Sequence, residues 1–302
     1  MIPEVNEEFV LTKCKFFASN QVWPLQRKLD PERWLANFET ADRRLALQLL
    51  NSFMFFSDDL LDRMFVSAIQ GLSRGETTRY TSRAERTTEW WRFLDNSVFT
   101  YPTGETPFAG DSGHGFVRRA RDLIGIEEHR ILAPEDAIAS IKSNSCQNVI
   151  FVDDFCGTGN QFISTWNRAY PTAADTFAKL SSQGLFRAFY CPVFCTQYGY
   201  ESQLEELAPA LVVQPSQWLG DTHSLLHTSS IWWPDSMKSD GVALIRKYSD
   251  QLGLPDTGGY DERDWQGFHK QGLAIAFRDC CPDATIPLFD TTEGGWSPLW
   301  SR

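Results

Sequence analysis

Residues 149–162 read Val-Ile-Phe-Val-Asp-Asp-Phe-Cys-Gly-Thr-Gly-Asn-Gln-Phe, and this stretch decides the fold. Its first four residues are apolar and mostly β-branched, which predicts a buried strand. The adjacent acids Asp153 and Asp154 follow, and a glycine-containing loop comes next. From Asn160 onward apolar residues recur at helical spacing, which predicts a helix. A strand, an acid pair, a glycine loop and a helix start together favour a site for a phosphorylated ligand.

Three kinds of ligand site place such a loop after a strand. A P-loop requires Gly-Lys-Ser/Thr at the helix start, but residues 159–161 are Gly-Asn-Gln, which excludes it. A methyltransferase motif matches residues 153–159, but it requires an acid at the end of the next strand. The next apolar run, residues 185–195, contains no carboxylate. The methyltransferase site therefore remains one alternative. A second alternative is an ordinary strand–helix turn in which two aspartates are adjacent by chance.

The third kind of site is that of the phosphoribosyltransferases, which residues 149–159 resemble closely. Their signature is an apolar strand, two acids, a short spacer and Thr-Gly. The resemblance implies that Asp153 and Asp154 form the catalytic pair and hold the ribose 2′- and 3′-hydroxyls. It also implies that the 5′-phosphate is bound by Gly157, Thr158, Gly159, Asn160 and Gln161.

A second strand–loop–helix unit precedes the acid motif. Residues 98–101 have the pattern of a strand and residues 116–124 that of a helix. By the same resemblance, the loop between them binds pyrophosphate, and the Mg²⁺ of the reaction is carried by the ligand, with no protein metal site. From the residues alone, Asp111 or Ser112 is also suited to cap the helix, with the same amides. The predicted pyrophosphate loop consists of Gly110, Asp111, Ser112 and Gly113.

The C-terminal tail narrows the resemblance to one group. Residues 272–277 read Gly-Leu-Ala-Ile-Ala-Phe, residues 282–288 read Pro-Asp-Ala-Thr-Ile-Pro-Leu, and residues 296–299 read Trp-Ser-Pro-Leu. These strings are similar to the tails of PRTase-CE proteins, which are phosphoribosyltransferase-like proteins of prokaryotic conflict systems. The resemblance implies an antiviral effector that acts at ribose C1 of a nucleotide or phosphoribosyl pyrophosphate, as a glycosyltransferase or nucleotide glycosidase. It also implies a protein partner from the same defence operon.

Three departures from the family pattern bear on catalysis. Gln161 stands where true transferases have a hydroxyl residue, and Gly157 stands where threonine is common. A short strand predicted at 129–132 and a helix predicted at 134–141 leave little room for the long flexible loop that closes over the reaction centre in active enzymes. The lack of this loop favours a second function: a non-catalytic module that binds a nucleotide and reports its level to a partner.

Composition sets the class of the protein. The 302 residues are 42% apolar and 22% charged, as in ordinary globular proteins. The net charge of −11 argues against broad nucleic-acid binding and leaves only a local basic patch. Such a patch occurs at residues 74–92, where five arginines, three glutamates and two tryptophans cluster. An ion-paired helix face is the simpler interpretation, and a site for a phosphate or an RNA strand is the alternative.

Cysteine usage and hydropathy favour a cytoplasmic location without membrane contact. The seven cysteines have no framework spacing and are expected to be reduced thiols. Residues 1–8 are acidic where a signal peptide is basic, and no apolar run is long enough for a transmembrane helix. Cys191 and Cys195 are about 13 Å apart if extended, so a shared zinc ion requires a sharp bend at Pro192.

The order of predicted elements gives an α/β fold. After the acid motif, apolar patterns predict a strand at 185–195, a helix at 201–207 and a strand at 211–213. Strands and helices thus alternate through the middle of the chain, which predicts a mostly parallel sheet with helices on both faces, as in phosphoribosyltransferases. We expect a helical N-terminal region at 1–95, a phosphoribosyltransferase-like core at 96–222, and a C-terminal segment at 223–302. That last segment is expected to cover the mouth of the sheet as a hood.

Overall fold

The computed structural model describes residues 6–24, 28–104, 112–171 and 174–301. Its α-helices are α1 (Glu7–Ser19), α2 (Pro31–Leu35), α3 (Arg43–Ser52), α4 (Asp58–Thr77), α5 (Arg83–Asp95), α6 (Ser112–Arg119), α7 (Pro134–Lys142), α8 (Asn160–Asn167), α9 (Phe177–Ser182), α10 (Gln197–Gly199) and α11 (Lys238–Gln251). Its strands are β1 (Met54–Phe56), β2 (Ser97–Thr100), β3 (Asn148–Cys156), β4 (Arg187–Thr196), β5 (Leu211–Val213), β6 (Gln217–Leu219) and β7 (Ile275–Phe277).

Contacts between residues divide the chain into two units. The discontinuous unit contains residues 1–60 and 219–302, and the continuous unit contains residues 61–218. The three segments predicted from the sequence are each continuous in the chain, whereas one of the two observed units combines the N-terminal and C-terminal parts. Residues 61–95 belong to the continuous unit because Phe93 of α5 packs edge-on against Phe189 of β4, with ring centroids 5.2 Å apart. The covering of the sheet by residues 223–302 stays a prediction.

The continuous unit is built on a five-stranded sheet. The strand order is β2-β3-β4-β5, and β6 pairs with β4. β2, β3, β4 and β5 pair in parallel, and the β3–β4 register runs from Asn148 opposite Arg187 to Cys156 opposite Cys195. The predicted α/β class with a mostly parallel sheet is confirmed.

Helices pack on both faces of this sheet. Because side chains alternate along each strand, the apolar residues of the strands meet helices on both sides. On one face, Phe151 of β3 contacts Phe162 of α8 and Phe177 of α9, at ring-centroid distances of 5.1 and 4.9 Å. Phe189 of β4 points to the opposite face, where it meets Phe93 of α5. The sheet is therefore buried on both sides, which explains why β3 and β4 are nearly continuous apolar runs.

The discontinuous unit contains a two-stranded parallel sheet of β1 and β7 and an aromatic core. The indole N–H groups of Trp34 and Trp296 both donate to the Leu288 carbonyl, at 2.8 and 3.0 Å. Trp300 is 1% exposed, and its backbone bridges Leu29 in antiparallel fashion. The aromatic residues of the tail are therefore core residues that join the two ends of the described chain.

Several elements differ from the local predictions. The short strand expected at 129–132 is a 3₁₀ turn, Glu128–Arg130, followed by a single parallel bridge from Ile131 to Phe99. α7 starts at Pro134, which leaves no length for a strand. The helix expected at 201–207 is a π turn followed by a 3₁₀ turn. β1 interrupts a run predicted as helical, because its partner strand comes from the distant C-terminal part.

Two further sequence expectations concern membranes and metals. Within the described ranges, no helix combines the length and apolar character needed to cross a bilayer. The same part of the chain contains no group of three or more His, Cys, Asp or Glu side chains placed to hold a metal ion. All seven cysteines, Cys280 and Cys281 included, are free thiols.

Candidate functional site

Asp153 and Asp154 lie within β3 rather than after it, because the strand continues to Cys156. Both predicted acids are thus brought to the carboxyl end of the sheet, where α/β folds bind ligands. Their access to solvent differs. Asp153 is 3% exposed, whereas Asp154 is only partly buried.

The carboxyl group of Asp153 is fully engaged by protein groups. The Tyr190 hydroxyl of β4 donates to Oδ2 at 3.0 Å, and the Asp154 N–H donates to Oδ1 at 3.0 Å. Burial, reinforced by the neighbouring charge of Asp154, raises the pKa of Asp153 well above its usual range. The protonated form is therefore favoured.

Asp154 is the accessible carboxylate of the pair. Its Oδ1 accepts a hydrogen bond from the Phe155 N–H at 2.9 Å, which fixes the side chain beside the loop. Asp154 is more exposed than Asp153, although the two carboxyl groups contact each other: after burial, the charge of Asp154 and a side-chain hydrogen bond with it also raise the pKa of Asp153. Of the two acids that the sequence predicts, Asp154 is thus the one placed to meet a sugar.

The glycine loop leads into α8 as an uncapped helix start. Gly159 is the N-cap residue, in the left-handed region at φ +79°, and no side chain caps the helix. The Asn160 N–H donates to the Thr158 hydroxyl at 3.3 Å. Among the hydrogen bonds of the described residues, none has the Gln161 N–H or the Phe162 N–H as its donor. Because the first amides of a helix lack internal partners and carry its positive dipole end, this start is suited to an anion.

A second loop, after β4, supports the first one. The Thr196 hydroxyl donates to the Gly157 carbonyl at 2.6 Å and accepts from the Gly199 N–H at 2.9 Å. A Cβ atom at Gly199 would lie 2.9 Å from the same carbonyl oxygen. Sequence reasoning missed Tyr190, Thr196 and Gly199. The available signal was that Thr196 ends the next parallel strand and Gly199 comes shortly after it, at the same edge of the sheet.

Buried thiols lie beneath the loop. Cys156 and Cys195 are opposite each other in the β3–β4 register. A hydrogen bond from Cys195 lowers the pKa of Cys156, and the same contact together with burial raises the pKa of Cys195. Burial raises the pKa of Cys191 as well. These cysteines are structural parts of the sheet. Cys191 and Cys195 do not belong to any group of three or more potential metal ligands among the described residues, so the zinc interpretation gains no support.

The predicted pyrophosphate loop is only partly visible. Gly110 and Asp111 lie outside the described residues, and Ser112 is the first residue of α6. Gly113 is buried, and a Cβ atom there would lie 2.9 Å from the Tyr101 Cβ and 3.0 Å from the Pro102 carbonyl. The start of α6 therefore packs on the chain just after β2, the neighbour of β3 in the sheet.

Comparison with known proteins agrees with this geometry. The family model of PRTase-CE matches residues 31–302, which is most of the chain. No curated protein and no solved structure matches. The parallel α/β sheet, the acid pair on β3 and the glycine loop before α8 lie inside the matched region. The chain belongs to the PRTase-CE family and is a phosphoribosyltransferase-like protein.

Proposed function

We propose that this protein binds a nucleotide or phosphoribosyl pyrophosphate at the carboxyl end of β3 and acts at ribose C1. The observation that carries the proposal is the accessible Asp154, which directly precedes a glycine loop and the uncapped start of α8. A carboxylate for ribose hydroxyls and amides for a 5′-phosphate thus lie on one short stretch of chain.

The residues have distinct roles in this proposal. Asp154 holds the ribose hydroxyls, and its charge stabilises the cationic transition state at C1. Asp153 is a positioning residue, because its oxygens are engaged by Tyr190 and by the Asp154 N–H. The 5′-phosphate is bound by the loop Gly157, Thr158, Gly159, Asn160 and Gln161, and the pyrophosphate by Gly110, Asp111, Ser112 and Gly113.

Mg²⁺ carried by the ligand is compatible with these donors. The ion binds proteins through one or two carboxylates and completes its coordination with substrate phosphates and water. Asp154 offers one such carboxylate, whereas Asp153 is buried and engaged. Bound with the ligand, Mg²⁺ neutralises charge on the pyrophosphate.

The proposed biological setting rests on the resemblance to the PRTase-CE group. We place the protein in the cytoplasm as an effector of a prokaryotic antiviral defence system, controlled by a protein partner encoded in the same operon. Its seven free cysteines suit a reducing compartment. Co-purification with the products of neighbouring genes would identify the partner and provide the complex in which to search for the activating signal.

Calorimetry tests ligand binding. We expect phosphoribosyl pyrophosphate or a nucleoside 5′-monophosphate to bind in the presence of Mg²⁺, and Asp154→Asn to weaken binding at least about tenfold through loss of charged hydrogen bonds. Asp122→Asn, at an exposed aspartate paired with Arg121, is the matched control and should bind normally. Tight binding of S-adenosylmethionine instead would support a methyltransferase and overturn the proposal.

A nucleotide sensor is the second candidate function. It is favoured by the burial of Asp153, which leaves one carboxylate where the family pattern supplies two, and by the ordered connection that bridges Ile131 to Phe99. Nucleotide pools of phage-challenged cells distinguish the two. Depletion of a nucleotide or release of free base in wild type but not in Asp154→Asn indicates an enzyme. Unchanged pools, with protection that still depends on Asp154, indicate a sensor.

A further inference from the structure

Helices α4 and α5 enclose a polar groove in the continuous unit. A cavity of about 500 Å³ lies between the C-terminal half of α4 and the N-terminal half of α5. Its lining includes three arginines, several hydroxyl side chains and one indole ring. The residues that matter are Arg74, Arg83, Arg86, Thr87 and Trp90. All of them except the partly buried Trp90 are exposed to solvent.

The acidic residues of this region are engaged elsewhere. Glu76 forms a two-point ion pair with Arg187 of β4, at 2.8 and 2.5 Å. Glu85 accepts the Ser82 N–H in the capping box of α5. Glu89 pairs with Arg92 at 2.5 Å. In the part of the chain that the structure describes, none of these three glutamates forms an ion pair with an arginine of the groove.

The three groove arginines have no carboxylate partner among the residues that the structure describes. Arg86 donates through Nε to the Tyr80 carbonyl at 2.8 Å, which holds its guanidinium at the groove. Arg83 and Arg86 are one turn apart on α5, and Arg74 faces them from α4. In a protein of net charge −11, this is a concentrated cationic site.

Trp90 forms a fixed aromatic platform at one end of the groove. Its ring stacks on Phe93 with centroids 5.4 Å apart and an interplanar angle of 18°. Phe93 is held in turn against Phe189 of the central sheet. One side of the indole is thus supported by the core, and the ring also lines the cavity.

We propose that this groove binds single-stranded nucleic acid without reading its sequence. Arginines placed along a groove neutralise successive phosphates, and an indole accepts the face of an unpaired base. The arginines come from two helices, Arg74 from α4 and Arg83 and Arg86 from α5, and the indole of Trp90 lies about 10 Å of helix rise beyond Arg83. That distribution suits a strand more than a single phosphate group.

Fluorescence anisotropy of the full chain with labelled single strands of about 15 nucleotides, RNA and DNA, tests the proposal. We expect affinity to fall with increasing salt. Arg74→Gln, Arg83→Gln and Arg86→Gln combined should reduce the slope of log affinity against log salt by about 2. Trp90→Ala should weaken binding about tenfold, and Trp90→Phe should restore part of the loss.

Two controls separate this groove from the site on β3. Arg92→Gln removes an arginine of the same helix that is already paired with Glu89, and it should bind the strand as wild type does. Asp154→Asn should also bind normally, so failure of the proposed function leaves this test intact. Equal affinity for a duplex of the same sequence, or full displacement by free pyrophosphate at equimolar concentration, would overturn the proposal. So would wild-type binding by the folded triple variant, with folding checked by circular dichroism.

Discussion

Adjacent aspartates on β3 differ in burial, although their carboxyl groups contact each other. Asp153 is held by Tyr190 inside the protein, whereas Asp154 lies at the accessible loop. The sequence pattern was sufficient to find both acids. It did not distinguish their roles, because the difference arises from Tyr190, which reaches Asp153 only through the parallel pairing of β4 with β3.

The raised pKa of Asp153 predicts a pH dependence of stability. In the unfolded chain the pKa of Asp153 is about 3.9. Above that pH, the folded chain therefore retains a proton on Asp153 that the unfolded chain has lost. This contribution to the free energy of unfolding is complete below about pH 4 and is lost as pH rises through the folded pKa. Asp153→Asn carries no such proton. As the pH rises from the unfolded pKa toward the raised folded pKa, wild type should therefore lose stability relative to Asp153→Asn, by up to about 1.4 kcal/mol per pH unit.

Urea unfolding at several pH values measures this difference. Asp122→Asn is the control, because a hydrogen bond from Arg121 lowers the pKa of Asp122, and the sign of its contribution is opposite. That contribution is present above the unfolded pKa and adds no loss of stability at higher pH. A difference between wild type and Asp153→Asn that stays constant with pH would contradict a buried, protonated carboxyl group.

At the scale of elements, the loops after β3 and β4 interlock through a glycine. Gly199 has φ −63°, a conformation that alanine also adopts, so the obstacle to Gly199→Ala is the Gly157 carbonyl at 2.9 Å. We expect Gly199→Ala to cost about 1–3 kcal/mol of stability and to weaken nucleotide binding by displacing the phosphate loop. Thermal unfolding and calorimetry measure the two effects.

Gly75→Ala is the matched control for this substitution. Gly75 lies inside α4, and a Cβ atom there meets no other atom within 4 Å. Alanine should stabilise the helix by about 0.5–1 kcal/mol and leave ligand affinity unchanged. Equal behaviour of the two alanine variants would show that the contact at Gly199 does not hold the loop.

Elements with a strong local pattern were predictable, and those that depend on distant partners were not. β3, α7, α8 and β5 follow from apolar runs, a proline start and helical spacing. β1 was predicted as part of a helix, because its residues Met54–Phe56 gain strand geometry only from pairing with Ile275–Phe277. Periodicity within a short window carries no information about such a partner.

At the scale of the molecule, the discontinuous unit depends on the C-terminal tail. Trp300→Ala removes a fully buried indole and should destabilise this unit by about 3–5 kcal/mol. In hydrogen exchange followed by mass spectrometry, we expect faster exchange in both residues 29–56 and residues 219–301. Strands β3 and β4 of the continuous unit should keep their protection.

The control for this substitution is Trp91→Ala, at a tryptophan that is 49% exposed. It should leave exchange in both ranges unchanged. Faster exchange in residues 219–301 alone would contradict the prediction, because residues 28–30 contact Leu299, Trp300 and Ser301 directly. The composition of the sequence established the globular class, but not this discontinuous arrangement, since contacts between the two ends leave no local pattern.

The pairing of β1 with β7 sets an order of events on the ribosome. Asp58 and Arg278, which form an ion pair, are 220 residues apart in the chain. At cellular rates of synthesis, roughly 10–40 s separate the appearance of the two. The strands of the continuous unit are complete within that interval. Trp34 and Leu35, both fully buried in the finished protein, must wait for their partners, so the nascent N-terminal segment is a natural client for chaperones.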